Sequence, residues 1–225
     1  MSPRRPRGLI VAIDGPSGAG KSTAAKALAR RLDYTFIDTG AMYRALAWKA
    51  LSRGVPLDDA ERLLSLLRET RIELRDAGLG VILDGVPVTR EIRTQAVSAA
   101  ASHVSIHPQV RREMVARQQE LGKDGGVVLD GRDIGTAVFP SAEVKFYVDA
   151  DPGQRAQRRQ AELQAKGPCA SVAEIEREIR ERDRKDSTRP DSPLTRTEDA
   201  VYLDTTGLPP DEVVRCMLEV VQSRL

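Results

Sequence analysis

Cysteine is almost absent: Cys169 and Cys216 are the only two in 225 residues. Their separation fits no metal-ligand spacing and no secreted disulfide framework, so they read as buried or incidental thiols. Long apolar runs are missing as well. The run starting at Leu9 is too short to span a bilayer, which argues against a membrane-embedded chain. The basic, proline-rich Met1–Gly8 segment is not followed by a signal-peptide pattern, and we expect a flexible start on a cytoplasmic protein. Neither sign of charge dominates: 35 basic residues stand against 33 acidic ones, for a net charge of +2. That balance gives no argument for a nucleic-acid or membrane surface. Aromatics make up 4% of the chain, too few for the stacking platform of a single-strand binder. No internal repeat or low-complexity tract is visible. The remainder is ordinary soluble composition, long enough for one sizeable core with small inserted lobes.

Against that background one stretch stands out. Leu9–Ile13 reads as a buried strand, Ser22–Arg31 as a helix rich in alanine and leucine, and the residues between them as a glycine loop. Gly15, Pro16, Ser17, Gly18, Ala19, Gly20, Lys21 and Ser22 fit the phosphate-binding pattern G-x-x-x-x-G-K-[ST], with Thr23 following. Glycines let backbone N–H groups surround phosphate oxygens, and the helix N-terminus adds a positive dipole end. Lys21 is placed to reach the β/γ-phosphates and the Ser22 hydroxyl to ligate Mg²⁺. The loop implies a nucleoside triphosphate, but not what the triphosphate is for.

Further along, Tyr34–Asp38 predicts a second strand, Thr39-Gly40 a turn, and Ala41–Ser52 a helix with Trp48 on its core side. Asp58–Thr70 predicts another helix. From Arg71 to Val88 the pattern becomes antiparallel: an alternating run, a turn at Asp76-Ala77-Gly78, then the hairpin signal Asp84-Gly85. Helices follow over Ile92–Val104 and Pro108–Leu121, with strands at Val127–Asp130 and Val144–Asp149. A charged helical pair, Pro152–Lys166 and Ser171–Lys185, is broken at Gly167-Pro168. A last strand, Ala200–Asp204, leads into the amphipathic helix Pro210–Arg224. The alternation implies a mainly parallel sheet covered by helices.

A phosphoryl-transfer site also needs charge for its acceptor. Asp38–Arg44 follows the second strand, where an α/β sheet puts its ligand edge. Arg44 either grips a phosphate or is a solvated arginine. Asp130-Gly131-Arg132-Asp133 ends the third core strand. There Asp130 can hold Mg²⁺ directly or through water, Arg132 can bind phosphate, and Asp133 can accept from a base amino group. Arg155, Arg158 and Arg159 precede Arg180, Arg182, Arg184 and Arg189, with Asp183 and Asp186 among them. This run is either a solvated helix face or a lid that brings arginines onto phosphates. Arginine supplies 28 of the 35 basic residues, which suits bidentate oxyanion contacts, although a compositional bias produces the same count. His103 and His107 lie in no chemical motif and read as structural or surface residues.

Taken together, GPSGAGKST (15–23), DTGAMYR (38–44), EIRT (91–94), DGRDIGT (130–136), VFP (138–140) and ERDRKDSTR (181–189) resemble the bacterial cytidylate kinase family, of the nucleoside monophosphate kinase group. The pieces span most of the chain, in order. DTGAMYR with DGRDIGT is the more diagnostic pair, because many families share the glycine loop. The resemblance implies an α/β fold: a P-loop kinase core with a parallel sheet flanked by helices, a small antiparallel acceptor-binding insert, and a helical lid. We expect the core over about 8–55, 122–151 and 195–225, the insert over about 56–121 and the lid over about 152–194.

The resemblance further implies ATP- and Mg²⁺-dependent phosphorylation of CMP and dCMP by an open, mobile monomer. It assigns acceptor contacts to Thr39 and Arg44, and cytosine reading to Ser102, Arg111 and Asp133. It gives the acceptor phosphate to Arg132 and Arg189, the ribose to Arg182 and Asp186, and a lid role to Arg158. Lys21, Arg132, Arg158, Arg189 and Asp130 form the expected catalytic set, with Asp130 as organiser or metal-water ligand rather than obligatory base. Within the same reaction class, the rival is a kinase for UMP, AMP, shikimate or another small acceptor. From another class, it is a regulatory P-loop GTPase, but no Asn-Lys-x-Asp guanine-recognition run is present. An arginine-rich nucleic-acid binder is disfavoured by acids interleaved with the basic residues.

Overall fold

A computed structural model describes residues 7–75, 78–165 and 169–225. Five strands form a parallel sheet in the order β2-β6-β1-β7-β8: β1 (Ile10–Asp14), β2 (Thr35–Asp38), β6 (Val127–Asp130), β7 (Val144–Asp149) and β8 (Val201–Asp204). The central strand is apolar without interruption because both of its faces are covered. Val11 and Ile13 pack with Leu28 of α1 (Lys21–Leu32) and Met217 of α8 (Pro210–Gln222). Ile10 and Ala12 pack on the other face with Ile37, Leu129 and Phe139. Each such side chain contributes about 1.5–3 kcal/mol when fully buried.

Between β2 and β6 the chain builds a second body. Here α2 (Thr39–Ser52), α3 (Ala60–Arg68), α4 (Gln95–Val104) and α5 (Pro108–Gly122) surround an apolar cluster containing Met42, Leu46, Leu63, Leu67, Ile92 and Met114. The antiparallel strands β3 (Ile72–Arg75), β4 (Gly80–Leu83) and β5 (Val86–Pro87) close one side of it. Thus α2, which falls in the first expected core segment, buries its apolar face in the insert. A third, much smaller cluster of Ala156, Ile175 and Ile179 joins α6 (Pro152–Gln164) to α7 (Val172–Thr188).

Three local features differ from the sequence expectation. No turn occurs at Thr39-Gly40. The helix begins at Thr39, because the Asp38 carboxylate accepts the Ala41 N–H at 2.7 Å and caps it. The helix expected from Ile92 is split into a 3₁₀ turn, Glu91–Arg93, and α4, because the Thr94 side chain accepts the Val97 N–H and starts a new helix. After Asp133 the chain makes a π-helical turn, Ile134–Val138, in a stretch to which the sequence reading assigned no element. Asp76, Ala77 and the Gly167-Pro168 break lie outside the described residues.

Candidate active site

The register of the sheet sets the site. Ile13 and Asp38 both stand opposite Asp130, so β1, β6 and β2 end side by side. The glycine loop leaves β1 at that edge, and α1 returns from it. Gly15 has φ 143°, and a Cβ there would lie 1.9 Å from the Val148 carbonyl oxygen of β7. Glycine therefore lets the loop start against a neighbouring strand. The residue before α1, Gly20, has no side chain to cap it, so the first N–H groups of the helix remain for an anion.

Lys21 folds back over the loop and donates to the Pro16 carbonyl at 2.6 Å. Burial pushes its ammonium down to about 7; Arg132 adds repulsion and Asp130 opposes it. The Ser22 hydroxyl donates to the Asp130 carboxylate. Burial and the charge of Asp38 raise the Asp130 carboxyl above the usual carboxylate range. The Thr39 hydroxyl donates to the Asp130 backbone carbonyl at 2.6 Å. Among the described residues, no cluster of three or more His, Cys, Asp or Glu is arranged to cage a metal. The adjoining hydroxyl and carboxylate of Ser22 and Asp130 instead suit a hard cation that keeps waters and substrate phosphates as ligands.

Facing this loop is a set of arginines, of which Arg44, Arg111, Arg132 and Arg189 are held by acid. Arg44 donates to both oxygens of Asp38, at 3.2 and 3.0 Å. Arg132 Nε reaches Asp186 of α7 at 3.0 Å, and Arg189 stands 3.6 Å from the other Asp186 oxygen. Burial alone would lower the Arg132 guanidinium, but Asp186 holds it above its ordinary value. Arg182 has less support: burial and the charge of Arg132 push it down to about 10. Arg111, only 2% exposed, is paired with Asp133 and lies over the Tyr43 ring at 5.7 Å. Burial pushes the Tyr43 phenol up strongly. From α6, Arg158 donates to the Thr205 hydroxyl and carbonyl at 3.0 and 2.6 Å.

A cavity of about 720 Å³ connects the two sides. Ser17–Thr23, Thr39, Arg44, Arg111, Asp130, Arg132, Asp133, Arg158, Arg182, Asp186 and Arg189 all line it. Of the expected site residues, Gly15, Pro16 and Ser102 do not. Gly15 and Pro16 shape the loop from behind, while Ser98 and Ala101 of α4 and its C-cap Ser105 line the cavity in place of Ser102. Along the acceptor side Tyr43 Oη, Arg44 Nε, Arg111 Nε, Arg182 Nε and Arg189 Nη2 are buried without a hydrogen-bond partner among the described residues. Buried donors of this kind are costly unless a ligand meets them.

Sequence reasoning missed Tyr43 and Arg93 as lining residues, although both lie in the quoted motifs DTGAMYR and EIRT. Arg93 stands 3.8 Å from Asp38. His107 is structural as expected, with a ring nitrogen 2.7 Å from the Leu57 carbonyl. Cys169 and Cys216 are unpaired and partly buried.

Comparison with known proteins identifies the relatives of this arrangement. The family model for cytidylate kinase matches residues 11–223. A cytidylate kinase from Geobacillus kaustophilus (strain HTA426) is 51% identical over 221 residues, covering 97% of this chain and 99% of the relative. One from Solibacter usitatus (strain Ellin6076) is 49% identical over 228 residues, covering 100% and 97%. A crystal structure of an uncharacterised protein from Eubacterium ventriosum ATCC 27560 aligns over 96% of this chain and 99% of that one. It does so with a TM-score of 0.52 at 11% identity, a likeness of fold alone.

Proposed function

The chain belongs to the cytidylate kinase family, and from that premise we propose that it transfers the γ-phosphoryl group of ATP to CMP and dCMP, giving CDP and dCDP. The observation that carries this reading is the single cavity with a phosphate loop on one wall and unpartnered buried arginine nitrogens on the other.

On the donor side, the N–H groups of Ser17–Thr23 and the Lys21 ammonium hold the triphosphate. Ser22 and Asp130 would hold Mg²⁺, which supplies charge neutralisation between the phosphates when bound. On the acceptor side, Arg44, Arg132 and Arg189 hold the phosphate of the monophosphate, with Thr39 beside them. Arg182 and Asp186 hold the ribose. Asp133 accepts from the cytosine amino group, and Arg111, fixed by Asp133 and Tyr43, donates to the base. Ser102, which does not line the cavity, is the further residue that the family resemblance assigns to the base. Arg158 comes onto the transferring group with α6. The lid comprises α6 and α7, and the insert the second helical body.

The chemistry is the meeting of two anions in line, so positioning and neutralisation lower the barrier. No dedicated base is required, because a phosphate monoester with a second pKa of about 6 is already largely ionised near neutral pH. Asp130 accordingly organises the Ser22 hydroxyl rather than removing a proton. The two unpaired cysteines suit the reducing cytoplasm. No helix among the described residues is long and apolar enough to cross a membrane.

The test is release of ADP from ATP and Mg²⁺ across a panel of nucleoside monophosphates. CMP and dCMP are expected to give the highest kcat/KM. Comparable turnover with AMP, or equal ADP release without acceptor, would overturn the assignment.

A further inference from the structure

One buried cation outside the cavity touches both halves of the site. Arg155 lies in the first turn of α6, with its side chain 5% exposed. Its Nε donates to the Ala150 carbonyl at 2.8 Å, just past the end of β7. Its Nη1 donates to the Ser17 carbonyl in the glycine loop at 3.0 Å and to Asp183 of α7 at 2.6 Å. The contact is close in the backbone as well: a Cβ added to Gly18 would lie 3.1 Å from Arg155 Cβ and 3.2 Å from its carbonyl oxygen. One guanidinium therefore ties the sheet edge, the donor loop and α7 together.

The neighbours of Asp183 on α7 give this tie its meaning. Arg182 is adjacent and Asp186 follows three residues later; both line the cavity, and Asp186 holds Arg132 and Arg189. Ser17 and Gly18 line the same cavity from the donor side. Any displacement of the Ser17–Gly18 peptide by a triphosphate moves the acceptor of a buried, charge-assisted hydrogen bond. The guanidinium must follow or lose that bond, and Asp183 carries the movement into α7. The Oδ1 oxygen of Asp183 is buried without a hydrogen-bond partner. Among the described residues, no hydrogen bond to that oxygen anchors α7 against such a shift.

We propose that Arg155, acting through Asp183, is a positioning residue that couples the two nucleotide sites, so that occupancy of the glycine loop sets Arg182 and Asp186 for the monophosphate. This rests on the site reading above. By reciprocity, each nucleotide then tightens the other by the same factor. Loss of a merely structural contact would weaken both ligands and leave that factor unchanged.

The experiment is calorimetric titration of CMP into the full-length protein, with and without a saturating non-hydrolysable ATP analogue and Mg²⁺. For the wild type we expect at least ~5-fold tighter CMP binding with the analogue present, within the usual range of coupling. In Asp183→Asn, which preserves shape and removes the charge, we expect the ratio to fall below about 2 while analogue binding alone changes little. Arg155→Lys serves as the second variant, since it keeps a cation but cannot span the three acceptors at once, and thermal unfolding of both variants confirms that they are folded. A wild-type ratio of one, or a ratio kept in both folded variants, would overturn the coupling. If neither CMP nor the analogue binds the wild type, the site reading itself falls.

Discussion

In the function proposed above, base selection turns on the charge of Asp133. It is buried at 6% exposure, paired with Arg111, and stands 3.9 Å from Arg189. Its carboxylate can only accept, which suits the amino group of cytosine and opposes the O4 of a uracil. Removing the side chain outright would strand the buried Arg111 cation, a loss of about 3–5 kcal/mol that would confuse folding with specificity. Asp133→Asn keeps the shape and adds a donor. We expect the ratio of kcat/KM for CMP to that for UMP to fall at least ~10-fold, the equivalent of roughly 1.4 kcal/mol of discrimination. Steady-state kinetics with both acceptors decides it: equal losses on CMP and UMP would remove Asp133 from base reading. Asp133 was legible in the sequence because it sits beside Gly131 and Arg132 at a strand end. Tyr43 was not, since an aromatic residue inside a helical pattern looks like core until its phenol is seen in the cavity wall. Ser102 is the opposite case: the family resemblance names it, but the cavity is lined by Ser98, Ala101 and Ser105 rather than by it. A helix turn exposes neighbouring positions to different surroundings, and the true phase of α4 depends on the Thr94 cap that splits the segment.

The elements differ sharply in how firmly they are held. The strands were readable as short apolar runs because a parallel sheet buries both faces. The π-turn at 134–138 was not, because its hydrogen bonds leave no periodicity in the residues; it is held from outside by Asp14, which accepts the Ile134 and Gly135 N–H groups at 2.9 and 2.7 Å. The charged pair α6 and α7 was ambiguous between a solvated face and a lid, and its packing explains why. Its apolar cluster of Ala156, Ile175 and Ile179 stands apart from the sheet core, and polar contacts such as those of Arg155 to the Ala150 and Ser17 carbonyls join it to the rest. A segment with so little buried apolar surface opens at lower free energy than the sheet. Ile179→Ala should cost about 2 kcal/mol or more. If α6 and α7 open as one unit, amide exchange across 152–188 rises by about 30-fold, while strands β1 and β6 exchange as before. Acceleration spread equally over the sheet, or none in α6, would show that the pair does not open independently.

At the scale of the whole molecule, the carboxyl edge of the sheet is an accumulation of charge. All five parallel strands end on aspartate: Asp14, Asp38, Asp130, Asp149 and Asp204. Each is put to use locally. Asp38 caps α2, Asp130 takes the Ser22 hydroxyl, Asp149 accepts the Ala150 N–H and Asp204 accepts the Thr206 N–H. Asp14 is buried as well, joining the strand that feeds the donor loop to the turn that follows Asp133. An edge that buries several carboxylates side by side carries an electrostatic cost in the fold, the usual tension between a site and its scaffold. Asp14 makes that measurable. Burial raises its carboxyl from 3.8 to about 6, against the two backbone N–H groups that favour the charge. Between those values the folded chain binds the proton and the unfolded chain does not, so stability from this group is full below about 3.8 and is lost as pH rises through about 6. The whole effect is on the order of 3 kcal/mol. Asp14→Asn cannot titrate, so its deficit relative to the wild type should shrink with rising pH, by roughly 2 kcal/mol between about pH 4.5 and 7.5. Urea unfolding of both proteins across that interval reads the difference directly, with common effects of the other carboxylates cancelling. A deficit that stays constant, or that grows with pH, would mean that Asp14 is ionised comfortably in the fold and that the edge carries no such cost there.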